Sequence, residues 1–204
     1  VCGASRPTAD TIRAALWGIG TKEGVKTASS FFVMEFSEEL LFFADCGFNI
    51  DPDAGQLAEI AVQTAASAKA FGSDPKVAML SFSTKGSGKH PFVDKVVEAT
   101  RKVKELDPGL VVDGELQFDA AYVPQVQQSK APGSPLQGKA NVYVFPDLQS
   151  GNIGYKIAQR LGDGQAFGPL LQGFAGSVND LSRGCSVDEI VVVAAITAVQ
   201  AKDL

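Results

Sequence analysis

Apolar and polar positions alternate along this chain in two rhythms, one helical and one extended, and the rhythms take turns. From Ser5 to Gly18 the apolar positions Ile12, Leu16 and Ile19, with Ala15 beside Leu16, keep helical spacing, and Thr8 with Asp10 behind it predicts an N-cap. Two phenylalanine-rich runs, Ala28 to Phe36 and Leu40 to Cys46, are joined by Ser37-Glu38-Glu39 and predict a β-hairpin. After Asp51-Pro52-Asp53, with proline read as the first helical position, the stripe Leu57, Ile60, Ala61, Thr64, Ala68 and Phe71 predicts a long amphipathic helix. Lys76 to Phe82 predicts a short buried strand. A loop from Ser83 to His90 follows, then a helix opened by Pro91 with Val93, Val96, Val97, Thr100, Val103 and Leu106 on one side. Leu110 to Gln117 predicts a strand, Asp119 to Gln128 a helix, Asn141 to Phe145 a strand and Gly151 to Leu161 a helix. The run Ile190 to Val199 is apolar on every side, which a helix tolerates only when covered all round. Strands alternating with helices in this way predict an α/β fold with a sheet covered on both faces.

Composition narrows the function classes. With 204 residues and 45% hydrophobic content the chain can bury one large core or two small ones. Net charge is −5 with no block of like charges, which argues against nucleic acid or an anionic membrane as the main partner. No apolar run reaches the length of a membrane span and no signal peptide is visible. Three cysteines, Cys2, Cys46 and Cys185, lack metal-ligand spacing and suit reduced thiols in a cytoplasm. The chain opens on Val1, and Val-Cys-Gly-Ala reads as the end of a strand running into a turn, so a fragment of something longer is expected. On that expectation the all-apolar helix leaves an uncovered patch around Val192 and Ile196, beside an incomplete cleft at Ser182.

The densest chemistry lies in Asn179-Asp-Leu-Ser-Arg-Gly-Cys-Ser186, which brings a hydroxyl, a guanidinium, a thiol and a glycine turn together. Two readings share these residues. One is a site mounted on a loop held by a buried element; the other is a plain helix start, because Ser186 followed by Glu189 is a capping-box pattern. Ser83-Thr-Lys-Gly-Ser-Gly-Lys-His90 is either a solvated turn or an anion cradle in which N–H groups and two lysines converge on a helix start. It is not a Walker loop, since Ser83 and His90 stand where that pattern needs glycine and a hydroxyl residue. His90 is the only histidine and has no triad context. Asp113, Glu115 and Asp119 have no further ligand spaced to help, so no metal site is assigned.

Val178-Asn-Asp-Leu-Ser-Arg-Gly-Cys-Ser, with the tail Asp188-Glu-Ile-Val and Ala195-Ile-Thr-Ala-Val-Gln, resembles the C-terminal signature of phosphate acetyltransferases. Phe145-Pro-Asp-Leu-Gln-Ser-Gly-Asn-Ile-Gly-Tyr-Lys-Ile-Ala-Gln-Arg-Leu, Ser81-Phe-Ser-Thr-Lys-Gly-Ser-Gly-Lys-His-Pro, Asp113-Gly-Glu-Leu-Gln-Phe-Asp-Ala and Thr8-Ala-Asp-Thr-Ile-Arg13 resemble the same family in its order and spacing. The resemblance implies the two-domain phosphate acyltransferase architecture, like that of isocitrate and isopropylmalate dehydrogenases, built of three-layer α/β/α sheets with a site in the cleft between domains. By that analogy residues 21–168 are an inserted domain, while 1–20 and 169–204 belong to a first domain that is incomplete here.

The activity implied is reversible acetyl transfer between acetyl-CoA and inorganic phosphate, by direct attack in a ternary complex. Coenzyme A then acts as substrate, with no permanently bound cofactor, in a cytoplasmic homodimer. The resemblance assigns Ser182 to hydrogen-bonding substrate, Arg183 to the phosphate and Glu189 to the family's carboxylate base, with Arg13, Arg6, Ser83, Lys85, Asn179 and Cys185 as further substrate contacts. Arg6 stands where the family often carries histidine, which leaves open which of Arg6 and Arg13 reaches the anion. Two alternatives stand beside this reading: a phosphate butyryltransferase-like enzyme for longer acyl groups, and a non-catalytic fragment that binds coenzyme A or phosphate.

Overall fold

The computed structural model of the chain describes residues 1–37 and 39–202. The phenylalanine-rich runs form the expected hairpin, β1 (Ser29–Phe36) and β2 (Glu39–Ala44), antiparallel from Phe31↔Ala44 to Phe36↔Glu39. Both are apolar on consecutive residues because both faces are covered: Phe31 and Val33 enter one core, Phe32 and Met34 the other. Three further strands, β3 (Lys76–Leu80), β4 (Val111–Leu116) and β5 (Val142–Val144), extend the sheet by parallel pairing on the β2 side. A last strand, β6 (Gln165–Gln172), pairs antiparallel with β1 and completes the order β4-β3-β5-β2-β1-β6.

Helices cover both faces, giving the three-layer α/β/α arrangement. On one face lie α2 (Ala54–Ala70) and α3 (Pro91–Leu106), whose Leu57, Ile60, Val96 and Val103 pack on Phe42, Val77 and Val142. Each such side chain contributes about 1.5–3 kcal/mol by leaving water. On the other face α4 (Phe118–Tyr122), α5 (Pro124–Lys130) and α6 (Leu148–Leu161) cover Phe43, Leu80 and Tyr143.

Local chemistry shifts several boundaries. Asp53, not a helical Pro52, caps α2, with its carboxylate accepting from Gly55 and Gln56 and Gln56 returning the capping box. The helix expected over 119–128 is two, because Pro124 cannot donate to the turn before it and opens α5 instead. Helix α6 begins at Leu148, a turn before Gly151, because Asp147 caps it by accepting from Ser150 N at 2.8 Å.

Strand β6 is absent from the sequence reading. It runs across the boundary drawn between 168 and 169 and carries residues from both sides of it into one sheet. At its middle, Gly168 has φ +153°, and a Cβ there would stand 2.8 Å from the Phe32 ring and 3.0 Å from the Phe31 carbonyl.

The first helix, α1 (Thr8–Gly18), buries Ala15 against Leu171, Phe174 and Val178. Pro7 occupies its N-cap position and makes no side-chain cap; Thr8 instead donates its hydroxyl to Asp180 at 2.6 Å. The apolar run near the end forms α7 (Val187–Gln200), in which Val193 alone of the described side chains is fully buried. Val192 and Ile196, expected at the centre of an uncovered patch, are half-buried against the core; the bare face lies beside them, at Val187, Val191 and Val199.

Candidate active site

Asn179 and Asp180 are wholly buried and fasten the segment between β6 and α7. The Asn179 amide accepts from Leu171 N at 2.8 Å and donates to Thr197 at 2.8 Å and Gln200 at 2.7 Å, while Asp180 takes the Thr8 hydroxyl. With these hydrogen bonds made inside the fold, Asn179 supports the loop. The chain then surfaces at Ser182. There the turn is held by Gly184 N donating to Ser182 Oγ at 3.2 Å and Cys185 N donating to the Ser182 carbonyl at 3.1 Å. The capping box is also formed, with Glu189 N donating to Ser186 Oγ at 3.1 Å and Ser186 N to Glu189 Oε2 at 2.6 Å. The two readings of this segment are therefore compatible: the cap locks the Glu189 carboxylate in place beside the serine loop.

Between this loop and the second half of α6 lies a cavity of about 210 Å³. Ser182, Gly184 and Glu189 form one wall, and Tyr155, Lys156, Gln159 and Arg160 the other, with Phe32 and Gly168 also lining it. The rotation of α6 is set by Tyr155 stacking on Phe32 at 4.1 Å and by Asn152 donating to the Cys46 carbonyl at 3.0 Å. Gly151 permits the close crossing, since a Cβ there would lie 2.3 Å from the Asp45 carbonyl.

Lys156 donates to Asn152 Oδ1 at 2.6 Å and lies 4.4 Å from the Tyr155 ring centroid. Neither Lys156 nor Arg160 is paired with a carboxylate among the described residues. Two unneutralised cations facing a hydroxyl and one carboxylate suit an anionic oxygen ligand. The sequence reading missed both. Their signal was the four-residue step that puts them on one side of a helix, but nothing local says that side faces Ser182.

The remaining expected residues fall in three places. Arg183 is exposed and flanked by cavity residues on both sides, while Cys185 is half-buried and packs partly on the core. Arg6 is exposed, and Arg13 is exposed on α1 with Asp10 at 3.3 Å; neither lines the cavity. Ser83 is fully buried, donating to Glu115 at 2.8 Å and accepting from Gly88 N at 2.9 Å. Lys85 is paired with Asp113 and also donates to the Gly114 carbonyl at 3.0 Å. The N–H groups of Thr84 and Gly86 go to Ser87 and Glu115. The 83–90 loop thus spends these donors on β4 and on itself.

Residues 1–198 match the family model described as phosphate acetyl/butaryl transferase. The chain is 57% identical over 201 residues to the phosphate acetyltransferase of Bacillus subtilis (strain 168), covering 98% of this chain and 62% of that protein. It is 56% identical to the phosphate acetyltransferase of Thermoanaerobacterium thermosaccharolyticum, covering 99% of this chain and 64% of that one. Among solved structures, a phosphotransacetylase from Streptococcus pyogenes superposes with a TM-score of 0.95 at 59% identity, over 99% of this chain and 62% of its own. A branched-chain phosphotransacylase from Enterococcus faecalis V583 shares the fold at 23% identity and TM-score 0.74. The chain spans a little over six tenths of the length of the relatives it matches.

Proposed function

Because this chain belongs to the phosphate acetyl/butaryl transferase family, we propose that it carries the phosphate-side half of a reversible acetyl transfer between acetyl-CoA and inorganic phosphate. The observation that supports this most is the cavity in which Ser182 and Glu189 face Lys156 and Arg160, cations with no carboxylate partner among the described residues. Phosphate is held by Arg160 and Lys156, with Arg183 at the edge of the same loop, and one of its oxygens attacks the thioester carbonyl carbon. The carbonyl oxygen becomes an oxyanion. Ser182 is placed to donate to it, since Gly184 N already satisfies the hydroxyl oxygen and leaves its hydrogen free. Collapse expels coenzyme A as the thiolate and leaves acetyl phosphate. In the reverse direction Glu189 takes the thiol proton: one carboxylate oxygen holds the helix cap and the other remains for the proton.

The finer parts of the reading have their own support. Free Cys2, Cys46 and Cys185 suit a reducing cytoplasm, and the bare apolar faces of α1 and α7, with Trp17 83% exposed, suit a homodimer or a neighbouring domain of the two-domain architecture. The test is acetyl phosphate formation from acetyl-CoA and phosphate, measured on the 204-residue chain and on a fusion supplying the rest of the Bacillus subtilis relative. Turnover in the fusion that falls on Arg160→Ala supports the reading; turnover indifferent to Arg160, Ser182 and Glu189 contradicts it.

A further inference from the structure

The two cations on the α6 wall of the Ser182 cavity, Lys156 and Arg160, differ in what they can become. A guanidinium keeps its proton in proteins, whereas an ammonium that releases one becomes an amine with a lone pair able to attack a carbonyl carbon. Lys156 stands one turn before Arg160, so both head groups share a side of the helix. Its head is held at two points: it donates to Asn152 Oδ1 at 2.6 Å and lies 4.4 Å from the Tyr155 ring centroid. That ring lines the cavity and is stacked on Phe32 at 4.1 Å, so the lysine nitrogen is kept at the cavity wall. An amine can still donate to Asn152, so losing a proton does not release the hold.

Lysines elsewhere are placed differently. Lys85, Lys95, Lys102, Lys130 and Lys139 each sit against a carboxylate, on other elements of the fold. Lys156 instead faces a hydroxyl at Ser182 and, at Glu189, a carboxylate with one oxygen already engaged in the helix cap.

We propose that Lys156 is a self-modification site, at which the amine takes the acetyl group from acetyl phosphate held in this cavity and the resulting amide weakens the anion seat. The inference rests on the acyl phosphate reading of the cavity and adds a regulation to it. Nζ bonds to the carbonyl carbon, whose oxygen becomes an oxyanion facing the Ser182 hydroxyl. The bond from that carbon to the bridging oxygen then breaks, and inorganic phosphate leaves with the electron pair. The surplus proton on nitrogen passes to the open Glu189 oxygen across the cavity. Acetylation removes the lysine charge. Arg160 is left as the cation of the α6 wall, so a sustained excess of acyl phosphate turns the site down.

Acetyl phosphate added to the 204-residue chain, followed by peptide mass spectrometry, tests the site without any turnover. Lys104 on α3 is exposed, has no carboxylate partner among the described residues and lies outside the cavity, so it reports the background rate in solution. Lys156 is expected to gain its acetyl group at least about tenfold faster than Lys104, because binding holds the donor beside it. Saturating inorganic phosphate should slow the reaction at Lys156 and leave Lys104 unchanged. Chain acetylated at Lys156 should bind phosphate about tenfold or more weakly, and in Lys156→Arg the same treatment should leave the affinity where it was before treatment. Equal rates at the two lysines, or no protection by phosphate, overturn the proposal. Acetyl phosphate formation by the fusion is a separate readout. Turnover there with Lys156 left unmodified defeats this proposal alone, and phosphate-protected acetylation without turnover defeats the transferase reading alone.

Discussion

On the proposed reading Glu189 holds two jobs, cap and base, that a single substitution can separate. Glutamine keeps the reciprocal bond to Ser186 N that closes the capping box, yet it cannot take a proton. Glu189→Gln is therefore expected to leave the unfolding midpoint nearly unchanged and to slow acetyl transfer to coenzyme A, while Glu189→Ala loses both. A thermal melt beside a rate measurement reads the two effects apart. Ser182→Ala should lower turnover roughly 10²-fold, the cost of one transition-state donor; an acetyl group trapped on Ser182 would mean an acyl-enzyme instead. Cys46 is a different kind of residue. Burial, with Asp45 alongside, pushes its thiol well above the ordinary range, whereas the unfolded chain ionises near pH ~8.5. Above that pH the unfolded state binds fewer protons than the folded one, so stability falls as pH rises. Comparing urea midpoints at pH 7 and pH 10, the fall should be smaller in Cys46→Ala than in the parent chain.

At the scale of elements, what the sequence makes legible depends on how each segment is covered. α2 and α3 could be read from periodicity because each buries one stripe, Leu57, Ile60 and Ala61 or Val96, Ala99 and Val103, and leaves the other to water. β6 could not, because its residues are buried toward both faces and Gly168-Pro169 interrupts the run, so neither alternation nor a clean apolar stretch survives. The Ser182 loop was found from its residues, but its opposite wall was not: Lys156 and Arg160 meet it only because Tyr155 stacks on Phe32 and Gly151 lets α6 cross close to Asp45. The Ser186 cap marks where local chemistry does decide. Ser186→Ala removes the acceptor of Glu189 N and should cost about 1 kcal/mol, seen as a lower denaturant midpoint with the slope unchanged.

Across the whole molecule, one mixed sheet brings together segments far apart in the chain. Thr8 reaches Asp180, Gln172 donates to Ser29 and Thr64, and α6 lies across the end of β2 to face the loop before α7. The bare valines of α7 and Trp17 of α1 each forgo about 1.5–3 kcal/mol while uncovered, so binding to a second surface through them adds stability. On the proposed reading the anion lies between Ser182 and the cations of α6. Titration of inorganic phosphate, followed by phosphorus NMR in the parent chain and in Arg160→Ala, addresses it directly. Affinity weakened about tenfold or more in the variant, the loss of one charge-assisted contact, is the predicted result; equal affinity in the two proteins would contradict the account.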